Sequence, residues 1–371
     1  MSKMLKNISL LIIVLIMVIS CSKDDDTSDL GNNDDFNRKA MLSNIADNII
    51  IPSYQDLNTK LEVLVSTKDD FITDPNTENL SALRTSWLNA YKSWQFVEMF
   101  NIGKAEEISY HFQMNIYPTN DDDIKSNISS GVADLEHPNN NDAVGFPALD
   151  YMLYGIENTD SAILNKYTID PESENYKLYL SDLVVQMKSL TGIILNDWTS
   201  SYRDVFINST SNTANSGFNQ FVNDYIYYYE KGLRANKIGI PAGNFSSNPL
   251  ANKVEALYNK ESSKILALDA LNAVQNLFNG KSYNTNSLDS SFSDYLNYLN
   301  KSDLVTLINN KLDLAREKIN LLDDDFSMQI NEDNTKMTNA YDALQTVVVL
   351  FKVDMLQAFN ISVDYVDADG D

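Results

Sequence analysis

Two carboxylates stand where the sequence could do chemistry. The first is Asp150, in Gly145-Phe146-Pro147-Ala148-Leu149-Asp150-Tyr151-Met152-Leu153-Tyr154-Gly155, an apolar stretch with one acid, entered through Gly and Pro and left through Gly. The second is Glu98, which follows Trp94 by four and Tyr91 by seven and so borders an aromatic helix face; an exposed residue at a helix end is its plain alternative. Two carboxylates can divide acid and base roles if their surroundings split their pKa values, but spacing alone does not bring these two together. Only two histidines exist. His111, between Tyr110 and Phe112, reads as packed or hydrogen-bonded, and His137, in Glu136-His137-Pro138-Asn139, as an exposed loop residue. There is no H-E-x-x-H, G-x-S-x-G, P-loop or G-x-G-x-x-G.

Composition narrows the classes further. The 371 residues carry 28 Lys+Arg against 52 Asp+Glu, a formal net charge of −24. Nucleic acid is therefore not an expected partner, since phosphate binding needs clustered Lys and Arg. One cysteine excludes a disulfide framework and a Cys-ligated zinc site. With 43% hydrophobic residues the chain is not a disordered acidic protein.

The elements that must position the carboxylates are helices. Asp74-Pro75 reads as a cap and first helical residue, followed by Leu80, Leu83, Trp87, Tyr91, Trp94 and Val97 at three- and four-residue intervals. Asp170-Pro171 repeats the device before a face of Tyr176, Leu180, Leu183, Met187, Leu190, Ile194, Trp198 and Tyr202. Further helices are expected at 38–66, 143–155, 216–235, 261–279, 289–299, 303–322 and 332–359, with a kink at Pro52. No stretch alternates with period two, so the fold class is all-α, as two tandem helical bundles over 37–165 and 166–371, the second ending in a short acidic tail.

The first 36 residues read as address rather than fold. Lys3 and Lys6 precede an apolar run from Ile8 to Ile19, too short to span a bilayer comfortably, so 1–20 is expected to be a signal peptide. Val18-Ile19-Ser20-Cys21 resembles a lipobox, which makes Cys21 the expected lipidation site and membrane anchor; a plain secretory leader is the alternative. No later segment is expected to compete for that anchoring role. Residues 21–36, with Asp24, Asp25, Asp26, Asp29, Asp34 and Asp35, form an acidic flexible tether by composition. Ser22-Lys23 followed by acids also resembles the export signal of Bacteroidetes lipoproteins, from which an outer-membrane lipoprotein is expected, with the cell exterior as the hypothesised face; a merely flexible spacer is the alternative.

Several anchors in order carry a wider resemblance. The 145–155 stretch is similar to the signature of the imelysin family, once classed as metallopeptidases, whose motif G-x-H-x-x-E leads into an apolar helix ending in Gly. Ile50-Ile51-Pro52-Ser53-Tyr54, Trp94-Gln95 with Glu98, Lys237-Ile238-Gly239-Ile240-Pro241-Ala242-Gly243, Ala270-Leu271-Asn272-Ala273-Val274-Gln275-Asn276 and Phe278-Asn279-Gly280 agree with it. So does the terminal Asp367-Ala368-Asp369-Gly370-Asp371, itself read as a solvated tail. The resemblance implies two helical bundles, an envelope location, a motif where the bundles meet, and a link to iron-regulated uptake, so that iron or another metal is the cofactor class to test. The motif's His position is Pro147 and its Glu position Asp150. Proline offers neither donor nor acceptor, so the motif keeps Gly145, Pro147 and Asp150 without its shared ligand pair, and no catalytic or metal residue is assigned.

The leading expectation is a lipid-anchored, non-catalytic envelope protein binding a small ligand or an envelope protein of iron uptake, with Asp150, Glu98 and Tyr154 as ligand-binding candidates. A carboxylate-based peptidase and a surface module for protein–protein interaction are the alternatives.

Overall fold

A computed structural model describes residues 34–365. The leader, Cys21, the tether up to residue 33 and the terminal Asp367, Asp369 and Asp371 lie outside the described residues. The end of the expected tether is packed: Phe36 stacks on Tyr295 with centroids 4.5 Å apart, and the Asp35 N–H donates to the Tyr298 hydroxyl at 3.2 Å.

Helix α1 (38–73) opens under the side chain of Asn37, which accepts from the Ala40 N–H. It runs Arg38–Asn44, widens to a π-helix over Ile45–Ile50 and continues over Ile51–Thr73. The widening comes just before Pro52, which has no N–H to give the Asn48 carbonyl four residues back. The backbone N–H of Tyr283 takes that carbonyl instead, at 2.8 Å. Helix α2 is Thr77–Trp94. Its cap is Asn76, not the expected Asp74: Asn76 has extended backbone and accepts the Asn79 N–H at 2.9 Å, whereas Asp74 closes α1. Asp170 likewise caps a turn, accepting the Glu172 N–H at 2.9 Å, before the next long helix begins at Ser173.

Helix α3 (145–155) is α-helical over Gly145–Asp150 and π-helical over Tyr151–Gly155. Gly145 is required at its start, because its φ is +74° and a Cβ there would lie 2.2 Å from the Met114 carbonyl oxygen. Helix α4, Ser173–Asn208, is long and apolar enough to cross a membrane by length and composition alone. It packs along α1 and buries Leu180, Leu183, Met187 and Ile194. Helix α5 (217–242) passes through a twelve-residue π segment, Tyr228–Gly239, and ends at Gly243 in the left-handed conformation. Helices α6 (Ser263–Phe278), α7 (Ser302–Asn320) and α8 (326–359) follow.

Packing follows the apolar faces. Helix α1 lies against α2 and α4, with α3 against α4 and α2, while α5 lies against α6 and α8, and α7 joins α8 and α6. Helix α4 thus packs with the helices of the expected first group rather than the second, since its apolar face matches that of α1. The residues from Asp35 onward make one compact unit. Among the described residues there is no strand, only an isolated antiparallel bridge between Lys281 and Leu288.

Candidate functional site

The π segment of α5 carries the chemistry. A π-helix advances more residues per turn than an α-helix, and such segments recur at functional sites. Here it buries Glu230, Arg234 and Lys237 completely or nearly so, which an ordinary amphipathic helix avoids. Buried charges must be paired and hydrogen-bonded, and each of these is.

Lys237 is the centre of one network. Its Nζ donates to Glu255 Oε1 at 2.9 Å and Oε2 at 2.7 Å, and lies 3.2 Å from Glu98 Oε2. The Asn115 amide donates to Glu98 Oε1 at 2.7 Å and to Glu255 Oε1 at 2.9 Å, and its own oxygen accepts from the Tyr91 hydroxyl at 2.6 Å. Tyr228 donates to Glu98 Oε2 at 2.9 Å, and the Gln95 amide to Glu255 Oε1 at 3.2 Å. Desolvation pushes the Glu98 carboxyl up, but the Lys237 charge and the bonds from Asn115, Tyr228 and Lys237 outweigh it and hold the group below the usual glutamate range. For Lys237, desolvation lowers the pKa and the charges of Glu255 and Glu98 raise it, with a net rise. Both partners are therefore ionised at neutral pH.

Glu230 organises a second network along the same segment. Its carboxylate accepts from the Tyr365 hydroxyl at 3.1 Å and lies 3.4 Å from Lys231, 3.4 Å from Lys352 and 3.6 Å from Arg234. Arg234 also donates to the Tyr341 hydroxyl at 2.8 Å and to Gln345.

Beside these networks is a cavity of about 840 Å³. Glu98 is at its floor and reaches it with a side chain 13% exposed, while Lys237 and Glu255 are buried behind. The cavity is lined from the segment between Met99 and Tyr117, from α5, where Asp224, Tyr228 and Lys231 face it, and by Lys253, Asp364 and Tyr365. Asp224, on the α5 wall, has its carboxyl pushed up to about 7 by burial, then by the neighbouring Asp364 and Glu106. His111 lines the cavity with Nδ1 3.0 Å from the Asn101 side-chain oxygen. Burial lowers its pKa more than Glu98 raises it, so the ring is neutral at pH 7.

Of the three candidates named from sequence, the structure places one in this cavity. Glu98 lines it; Asp150 and Tyr154 do not. Asp150 is buried, and its two oxygens accept the backbone N–H groups of Tyr258 at 2.8 Å and Asn259 at 2.9 Å. Burial pushes its carboxyl up to about 7 against the lowering effect of those two bonds. Its role is to clamp the loop that carries Glu255. Tyr154 is half-buried under the Arg84 guanidinium, 4.3 Å from the ring centroid, and against Trp87, so its ring is spent on packing. Pro147 and Gly145 are buried in the first turn of α3. Phe146 between them stacks on Tyr91 at 4.4 Å, and its carbonyl accepts from the Trp87 indole at 3.2 Å. Side chains fill the space beside the motif. His137 is exposed, as expected, and its ring nitrogen accepts the Asn139 N–H at 3.2 Å.

Sequence reasoning missed Glu255, Asn115 and the role of Lys237. Lys237 had a signal, being the one charge in Lys237-Ile238-Gly239-Ile240-Pro241-Ala242-Gly243. Glu255 had none, because its loop has no periodicity. Among the described residues, no three His, Cys, Asp or Glu side chains converge as a metal site would need.

The fold and site define an all-α protein with a polar-floored cavity beside a π-helical segment. The family model described as Imelysin matches residues 50–351, and the chain belongs to that family. It is similar in structure to an imelysin-like protein from Psychrobacter arcticum 273-4, with a TM-score of 0.71 at 18% identity over 89% of this chain and 97% of that one. A second similar structure is a protein of Parabacteroides distasonis ATCC 8503 provisionally described as an iron-regulated protein A precursor, with a TM-score of 0.72 at 19% identity over 87% and 95% of the two chains. At those identities the likeness is one of fold. No curated protein matches the chain.

Proposed function

We propose that this chain is a non-catalytic binding protein of the bacterial cell envelope, lipid-anchored at Cys21, that holds a small ligand and serves iron or metal acquisition. The observation that carries the binding role is the cavity of about 840 Å³ with Glu98 at its floor. That volume falls in the range of small-molecule sites, which combine apolar walls with a few convergent polar groups. The iron setting draws on the similar Parabacteroides distasonis structure, described as that of an iron-regulated protein A precursor. The envelope setting draws on the leader and the motif ending in Cys21, with the outer membrane and its outer face as the expected destination.

The carboxylates weigh against catalysis. A peptidase of the kind considered from sequence needs Glu98 and Asp150 in one site, and Asp150 is occupied by two backbone N–H groups away from the cavity. Glu98 is held ionised beside a lysine, which removes it as a proton donor at neutral pH. The test is calorimetric titration of the full-length chain with ferric iron, ferrous iron, haem and calcium. A saturable heat that Tyr228→Phe weakens supports metal or haem binding at this cavity, and silence from all four removes that version.

A further inference from the structure

The charge balance of the cavity floor narrows the chemistry of the ligand, given the binding role just proposed for that cavity. We propose that the cavity takes an organic cation, an ammonium group carried on an aromatic or aliphatic body, with the positive charge seated at Glu98.

Two carboxylates, Glu98 and Glu255, share one lysine, and every other donor to them is neutral: Asn115, Gln95 and Tyr228. The network therefore carries one uncompensated negative charge. Glu255 and Lys237 are 2% and 1% exposed, so Glu98 presents that charge to the cavity. Lys237 has three protons, and its three close oxygens at 2.7, 2.9 and 3.2 Å all belong to the two glutamates. None is left for an anionic ligand.

The other charged residues lining the cavity nearly offset one another: Asp224, about half ionised at pH 7, and Asp364 stand against Lys231, which lies 3.4 Å from Glu230, and the exposed Lys253. The sign is therefore set by the Glu98 network. His111 brings no charge, since burial keeps it neutral. Tyr117, Tyr227, Tyr228 and Phe112 supply aromatic surface, and Met99 and Ile116 apolar surface for a hydrocarbon body. A cation among aromatic rings with one carboxylate is a recurrent way to hold an ammonium. A bare metal ion would need several convergent oxygen or nitrogen ligands, and no such trio is assembled among the described residues.

The test uses three matched probes on the full-length chain: phenethylammonium, the neutral 2-phenylethanol and the anionic 3-phenylpropanoate. Calorimetry is expected to rank them in that order, with the cation at least about tenfold tighter than the alcohol, as expected for a bond to a charged group. Raising NaCl should weaken the cation alone. Glu98→Gln should bring phenethylammonium down to the level of the alcohol and leave the alcohol unchanged. Asp224→Asn, outside the buried network, should weaken the cation several-fold at pH 8, where the Asp224 carboxyl is ionised, and keeps the test decisive if Glu98→Gln does not fold. Equal or tighter binding of the alcohol or the anion overturns the cation assignment and leaves the binding role standing. No binding by any of the three overturns the cation assignment, and the binding role is then decided by the titrations with iron, haem and calcium.

Discussion

The Asp150 carboxylate accepts the backbone N–H of Tyr258 at 2.8 Å across 108 residues of sequence. The one acid of the motif helix thereby fixes the loop on which Glu255 meets Lys237. Its contribution is positional, two steps removed from anything in the cavity.

Replacing Asp150 by Asn sets an amide N–H₂ against one of the two backbone donors, so one hydrogen bond is lost and two N–H groups repel each other. Urea unfolding should show a loss of about 1–3 kcal/mol, and any background hydrolysis of denatured protein substrates should be equal in the two forms. The pH dependence has a definite sign. The folded-state pKa of about 7 lies above the ordinary value of 3.8, so this group's stabilisation is full below about pH 4 and is lost as pH rises through 7. The stability of wild type minus Asp150→Asn should therefore fall between pH 4 and pH 7; a flat difference would contradict the assignment.

Lys237→Met leaves Glu98 and Glu255 facing each other without a cation. Breaking a buried pair from one side costs about 3–5 kcal/mol. Adding Glu255→Gln should recover part of that loss, because the surplus buried charge goes with it. Denaturant curves of the two single variants and the double variant measure the coupling, and strict additivity would sink the network as drawn.

Glu98 behaves oppositely to Asp150 toward acid. Its folded pKa is below the ordinary 4.5, so its stabilisation is present above pH 4.5 and lost as pH falls through the lower folded value. Glu98→Gln should flatten the acid limb of the stability profile below pH 4.5 and leave the limb above it unchanged. Thermal melts from pH 3 to pH 7 would read this directly.

Gly145→Ala should be among the most damaging single-atom-scale changes in the chain. The new Cβ would sit 2.2 Å from the Met114 carbonyl oxygen at a φ of +74°, combining a clash with a disfavoured backbone. A sharp fall in Tm or in soluble yield is expected, whereas Gly192→Ala, whose nearest neighbour would be 4.0 Å away, should be tolerated.

The helices were legible because each buries a face with a period near 3.6, as in Leu180, Leu183, Met187 and Ile194 of α4. Caps were less so: Asp74-Pro75 and Asn76 are adjacent signals, and only the backbone conformation decides which residue opens the helix. Glu98 could be read from its place beside Tyr91 and Trp94, since both facts are local. Asp150 was legible as unusual but not in its role, because what occupies it returns from residues 258 and 259. Glu255 sits in a loop without pattern, and nothing local marks a residue whose importance comes from Lys237, 18 positions earlier.

The carbonyl of Asn48, freed by Pro52, waits for the N–H of Tyr283. The first helix therefore leaves one of its carbonyls to be closed from outside, by an N–H that lies 235 residues further along the chain, so that the widened turn also serves as the point where an early helix and a late loop are joined.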